Sequence, residues 1–104
     1  MSRWVKTELN GWSDQDQAVA WKEILEWQIK MFFWSAYLYY VLDNPKLSDY
    51  DFDRIIDVME DHFDELPERI THTVGPGEIK ANAHLFAHDL TEEEIKAAIE
   101  WKNA

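Results

Sequence analysis

The sequence predicts an all-α fold: a long antiparallel helical hairpin with one or two shorter C-terminal helices packed on it. Three observations predict it. Apolar residues recur at helical spacing along two extended stretches, an Asp-Asn-Pro break separates them, and no stretch shows the two-residue alternation of a half-buried strand. At 104 residues, with no linker, internal repeat or low-complexity tract, the chain reads as one domain over 1–104.

The N-terminal stretch carries Trp4 and Trp12 without periodicity, and Asn10-Gly11 marks a turn. Ser13, followed by Asp14 and Asp16, is suited to open a helix, because short oxygen side chains and early acids satisfy free N–H groups. Ala20, Ile24, Trp27, Met31, Trp34, Leu38 and Val41 then form a stripe stepping by fours and threes. Leu25, Phe32, Tyr39 and Leu42 widen it, so one helix is expected over about 14–42. Trp27 and Trp34 are expected in the core with Trp21 beside them; the alternative is that a second copy or a partner covers the excess apolar surface.

Asp43-Asn44-Pro45 ends that helix, since the residue before proline is driven out of the α region and proline has no N–H to donate. Ser48 to Asp51 resembles a capping box with Asp in place of Glu. Phe52, Ile56, Met59, Phe63 and Leu66 predict a second amphipathic helix to about residue 63. Pro67 and the run Thr71 to Gly77 predict an extended or turning connection, and 78–88 a short helix. Thr91-Glu-Glu-Glu94 is a capping box for a last helix that packs Ile95, Ala98, Ile99 and Trp101 on the hairpin.

Ten Lys and Arg against twenty-one Asp and Glu give a net charge of −11. That balance argues against direct binding to a nucleic-acid backbone, which needs clustered cations. It points to a solvated acidic surface, a basic protein partner, or mimicry of nucleic acid. Hydrophobic residues at 46% and six tryptophans argue against disorder. Cysteine is absent, which excludes disulfides and thiolate metal sites. The N-terminus lacks an apolar signal core, and the run Met31–Leu42, interrupted by Ser35, is shorter than the roughly 20 residues of a membrane span. A cytoplasmic location and no membrane contact are the expectation.

Motifs for nucleophilic or phosphate chemistry are missing: there is no Gly-x-Ser-x-Gly, Walker loop or Gly-x-Gly-x-x-Gly. His84 and His88 have the spacing of two zinc ligands on a helix, but lack the Glu of His-Glu-x-x-His and an obvious third ligand, and His62 and His72 are scattered. No metal is expected. The turn between the long helices holds the more pointed constellation. Asp49 and Asp53 share one face near a helix start, and Tyr39 and Tyr40 end the preceding helix. Ring faces beside carboxylates suit a flat cationic ring. The plainer alternative is helix capping beside a packed aromatic pair.

Residues 32–75 also resemble the N-terminal Ia segment of the bacterial NAD-dependent DNA ligases. The resemblance rests on Tyr39-Tyr-Val-Leu-Asp-Asn-Pro45, Ser48-Asp49 and Phe52-Asp53-Arg54, with Leu66-Pro67-Glu68, Thr71 and Val74-Gly75 following at a shorter spacing. It implies a helical module that binds the nicotinamide mononucleotide half of NAD, with ligand contacts at Tyr39, Tyr40, Asp49, Phe52 and Asp53. Two positions depart from the family: Phe52 stands where Tyr is usual, and Thr73 where an arginine precedes Val-Gly. The Lys-x-Asp-Gly nucleophile of the ligase core has no counterpart, so no adenylation step is available to this chain.

Two functions from different classes follow. The first is a non-catalytic ligase-related module binding NAD or NMN. The second is an acidic interaction module that uses the hairpin as scaffold, such as a phage-type inhibitor of a nucleic-acid enzyme, acting on a protein partner or by self-association. A third, cleavage of NAD with Asp49 or Asp53 stabilising an oxocarbenium ion, lacks a second acid or base.

Overall fold

The computed structural model of the chain describes residues 14–104, and the expectations at Trp4, Asn10-Gly11, Trp12 and Ser13 lie outside them. The fold is all-α, with no strand among the described residues. Helix α1 spans Asp14–Ala36 and continues as a π-helical turn over Tyr37–Val41. Helix α2 spans Asp49–Asp61 and is followed by a 3-10 turn at Phe63–Glu65. Helix α3 is Glu68–Thr71, a 3-10 turn at Lys80–Asn82 leads into α4 at Ala83–Ala87, and α5 spans Glu92–Asn103. No described helix is long and apolar enough to cross a membrane.

The first helix differs from a straight run to residue 42. Its last turn widens: Leu42 N–H donates to the Tyr37 carbonyl five residues back (3.2 Å), and Asn44 N–H to the Leu38 carbonyl (2.8 Å). Asp43 takes φ = +51°, the left-handed conformation that closes helix ends, and Pro45 follows it. The widened turn leaves Leu38 buried and Tyr39, Tyr40, Val41 and Leu42 exposed.

The buried stripe of α1 also lies to one side of the expected line. Leu25, Phe32, Phe33 and Ala36 are buried, whereas Trp27 is 52% exposed and Ile24, Met31 and Trp34 are half-buried. The flank is the true centre because α2 and α4 pack there. Phe32 stacks on Phe52 (5.8 Å, 1° between planes) and meets Phe86 edge-on (5.5 Å). Trp21 contacts the His62 ring at 4.5 Å. Trp34 packs on Trp101 of α5 (5.5 Å), and Trp27 lies edge-on to Trp34 (5.7 Å). The expectation of Trp27 in the core is therefore corrected: it forms the outer end of a tryptophan row.

Helix α2 starts as its sequence implies, with the Ser48 hydroxyl accepting from Asp51 N–H at 3.2 Å. Ile55, Ile56 and Met59 are its buried face. The connection after it is more ordered than expected, because α3 buries Ile70 and lets Arg69 reach α5. At α5 the full capping box forms between Thr91 and Glu94. Ala98 is buried and Trp101 half-buried, but Ile99 faces outward at 41% exposure.

Candidate functional site

The five residues singled out at the turn surround one pocket. Tyr39 and Tyr40 from the π-helical turn, Asp49, Phe52 and Asp53 from α2, and Lys80 from the 3-10 turn line a space of about 230 Å³. Each is positioned by local structure. The π turn presents both adjacent tyrosines outward, with their rings edge-on at 4.8 Å. A regular α-helix separates neighbouring side chains by about 100°. Phe52 is half-buried, steadied by its stack on Phe32. Asp49 stands in the first turn of α2, where free N–H groups favour a carboxylate, and Asp53 follows four residues on.

Lys80 is the member that sequence reasoning missed. Its Nζ donates to Asp53 Oδ2 at 3.0 Å, across twenty-seven residues of chain. The loop that delivers it is anchored by Glu60, whose carboxylate accepts from Gly77 N–H (2.9 Å) and Ile79 N–H (3.3 Å). Gly77 needs its φ of +80°, which L side chains rarely adopt. The only cue in the sequence was a lysine three residues after the Val-Gly-Pro-Gly turn, and spacing alone does not tie it to Asp53.

The electrostatics are mixed. The Lys80 ammonium is held above its ordinary range by its hydrogen bond to Asp53, reinforced by the charges of Asp53, Asp57 and Asp49. The Tyr40 hydroxyl is likewise pushed up, first by burial and then by Tyr39 and the carboxylates of Asp49 and Asp53, with Lys80 opposing. Tyr40 therefore stays a neutral phenol able to donate. Asp53 already has a cationic partner, whereas no ion pair joins Asp49 to a cation among the described residues. The site thus offers three rings, one carboxylate without an ion-pair partner, and an ammonium at its rim.

The histidines lie elsewhere in role. His84 faces Tyr40 across 6.3 Å, and His88 sits past the end of α4, so the pair does not share a helix turn as its spacing suggested. Both are exposed. A larger apolar groove of about 470 Å³ lies between α1 and the α3 and α5 starts, floored by Leu25, Ile29, Phe33 and Pro67. Two of its lining residues, Arg69 and Glu94, are engaged with each other at 2.8 Å and 3.2 Å. Lys22, Glu26 and Lys30 also line it. Comparison of the chain with protein-family models, curated proteins and solved structures gave no match.

Proposed function

We propose that the chain is a non-catalytic, ligase-related module whose turn pocket binds nicotinamide mononucleotide or the matching half of NAD. The observation that carries this reading is the convergence of Tyr39, Tyr40, Asp49, Phe52 and Asp53 on one pocket. A cationic pyridinium ring is attracted by aromatic faces and by the Asp49 carboxylate. Lys80 answers the ligand's other charge, because an ammonium at the rim suits a phosphate. At about 230 Å³ the pocket is smaller than the roughly 300–1,000 Å³ of drug-sized sites, so it suits one ring and part of its ribose. The ring contacts Phe32–Phe52 and Trp21–His62 pair late α1 with early α2 and the reverse, which supports an antiparallel hairpin with the pocket at its closed end. The same reading implies a cytoplasmic setting.

Isothermal titration with NMN and NAD tests it. Binding is expected for both, with NMN sufficient, and Asp49→Ala is expected to weaken it more than Asp53→Ala, whose partner Lys80 is then freed. Affinity that survives both substitutions undiminished removes the pocket from consideration. Incubation with NAD is expected to release no nicotinamide by chromatography.

The exposed Trp27 favours a second reading. A net charge of −11 together with a 52% exposed indole at the end of a tryptophan row suits an acidic module docking on a basic protein, such as a nucleic-acid enzyme. A charge-driven partner is retained at low salt, released at high salt, and lost with Trp27→Ala. Retention that ignores both salt and Trp27 counts against it.

A further inference from the structure

Behind the turn pocket lies a buried hydroxyl that the fold does not use. Ser35 is 4% exposed, and its Oγ has no protein hydrogen-bond partner, the one buried side-chain polar atom of that kind among the described residues. Helical serines commonly return the hydroxyl to the carbonyl four residues back. Ser35 does not, although it sits one residue before the last of α1. Buried polar groups are nearly always paired, so an orphan marks a place where something else completes the bond.

Ser35 lines a small chamber of about 10 Å³ with Tyr39, Pro45, Leu47, Asp49 and Phe52. Three of these, Tyr39, Asp49 and Phe52, also line the outer pocket, so the two spaces share a wall. The chamber is about the size that one water occupies, and such a water needs two to four polar partners. Ser35 Oγ both donates and accepts, and the Asp49 carboxylate accepts. A water in the chamber would have Ser35 Oγ and the Asp49 carboxylate as polar partners and a further bond left for a group in the outer pocket.

We infer that this chamber is the specificity subsite of the turn pocket: Ser35, through one water held with Asp49, recognises the carboxamide of a flat cationic ring seated between Tyr39 and Phe52. The inference rests on the ring-binding reading given above and adds to it the group that distinguishes one ring from another. A pyridinium without the amide keeps the aromatic and charge attraction but leaves the water's last bond unmade. Ser35 is thus a specificity-determining residue, reached through the water rather than by direct contact.

The test compares binding of nicotinamide mononucleotide with the same mononucleotide lacking the carboxamide, by isothermal titration on the full chain. The native protein is expected to prefer the amide-bearing ligand about tenfold, the scale of one hydrogen bond. Ser35→Ala is expected to bring that preference below about twofold, by weakening the amide-bearing ligand while leaving the other unchanged. Circular dichroism checks that the variant is folded; Ser35→Cys, of similar shape and weaker hydrogen bonding, serves if it is not. An equal preference in native and variant proteins overturns the inference and leaves ring binding standing. No preference in the native protein does the same. If the native protein binds neither ligand, the ring-binding reading and this inference fall together.

Discussion

Replacing Glu94 with alanine tests how α3 and α5 are fastened to each other. The Glu94 carboxylate accepts two bonds from Arg69, at 2.8 Å and 3.2 Å, and one from Thr91 N–H at 3.0 Å. Arg69 also donates to the Asp89 carbonyl at 2.8 Å and lies 4.0 Å over the Phe33 ring. The side chains of Arg69 and Glu94 are 35% and 31% exposed, so solvent screens the pair and its worth is near the upper end for surface ion pairs, about 1 kcal/mol. Losing half the capping box adds about 0.5–1 kcal/mol. The sum, about 1.5–2 kcal/mol, lowers Tm by about 7–9 °C in a domain near 100 residues. Thermal melting by circular dichroism at neutral pH measures it, and a loss below about 0.5 kcal/mol refutes the reasoning. The pH dependence gives an independent check. Hydrogen bonds from Arg69, followed by those from Thr91 and the Arg69 charge, hold the Glu94 carboxyl below its ordinary value of 4.5. Its contribution is therefore full above that ordinary value and fades as pH falls through the depressed one. The gap between native and Glu94→Ala proteins narrows on acidification; a gap unchanged at about pH 2 contradicts the assignment.

Phe32→Ala is expected to cost about 3–5 kcal/mol in urea unfolding, because the ring is fully buried and meets Phe33, Phe52 and Phe86. A loss under about 2 kcal/mol means that the site collapses around the missing ring. Asp43→Gly is expected to match or exceed native stability, whereas Asp43→Val loses about 1–2 kcal/mol, since φ is +51° there. Equal melting of the two variants argues against a left-handed residue at that turn. Lys80→Ala is expected to weaken nicotinamide mononucleotide several-fold while sparing its phosphate-free riboside, both read by titration. Equal losses for the two ligands remove the ammonium from phosphate recognition.

The parts of the fold legible in the sequence are those fixed by neighbours along the chain. Ser48 and Thr91 cap their helices because the hydroxyl and the N–H it meets are three residues apart. Pro45 and Asp43 end the first helix for equally local reasons. The position of the buried stripe was less legible. Trp27 and Leu25 are both apolar at helical spacing, and only the arrival of Phe52 and Phe86 beside Phe32 decides which of them is covered. At the candidate site the same division holds. Tyr39, Tyr40, Asp49, Phe52 and Asp53 stand within fifteen positions of each other, so a single turn gathers them. Lys80 arrives by way of Glu60 and a glycine loop, a route with no local signature. Ser35 gave no signal either, since a serine inside an apolar run reads as an interruption until its surroundings are known.

The π-helical turn at Tyr37–Val41 works like a vernier between two scales. Up to Ala36 the backbone keeps ordinary α pitch; beyond it the winding lags by nearly one residue, and everything downstream inherits the offset. Shortening this chain by one position there would restore the tighter winding and swing the following groups by about 100° about the axis. The composition would barely change, but the paired phenol rings would no longer overhang the start of α2. Phase, set by a single surplus peptide unit, is what a mutational survey limited to substitutions would never touch, and single-residue deletions across 37–41 are the way to probe it.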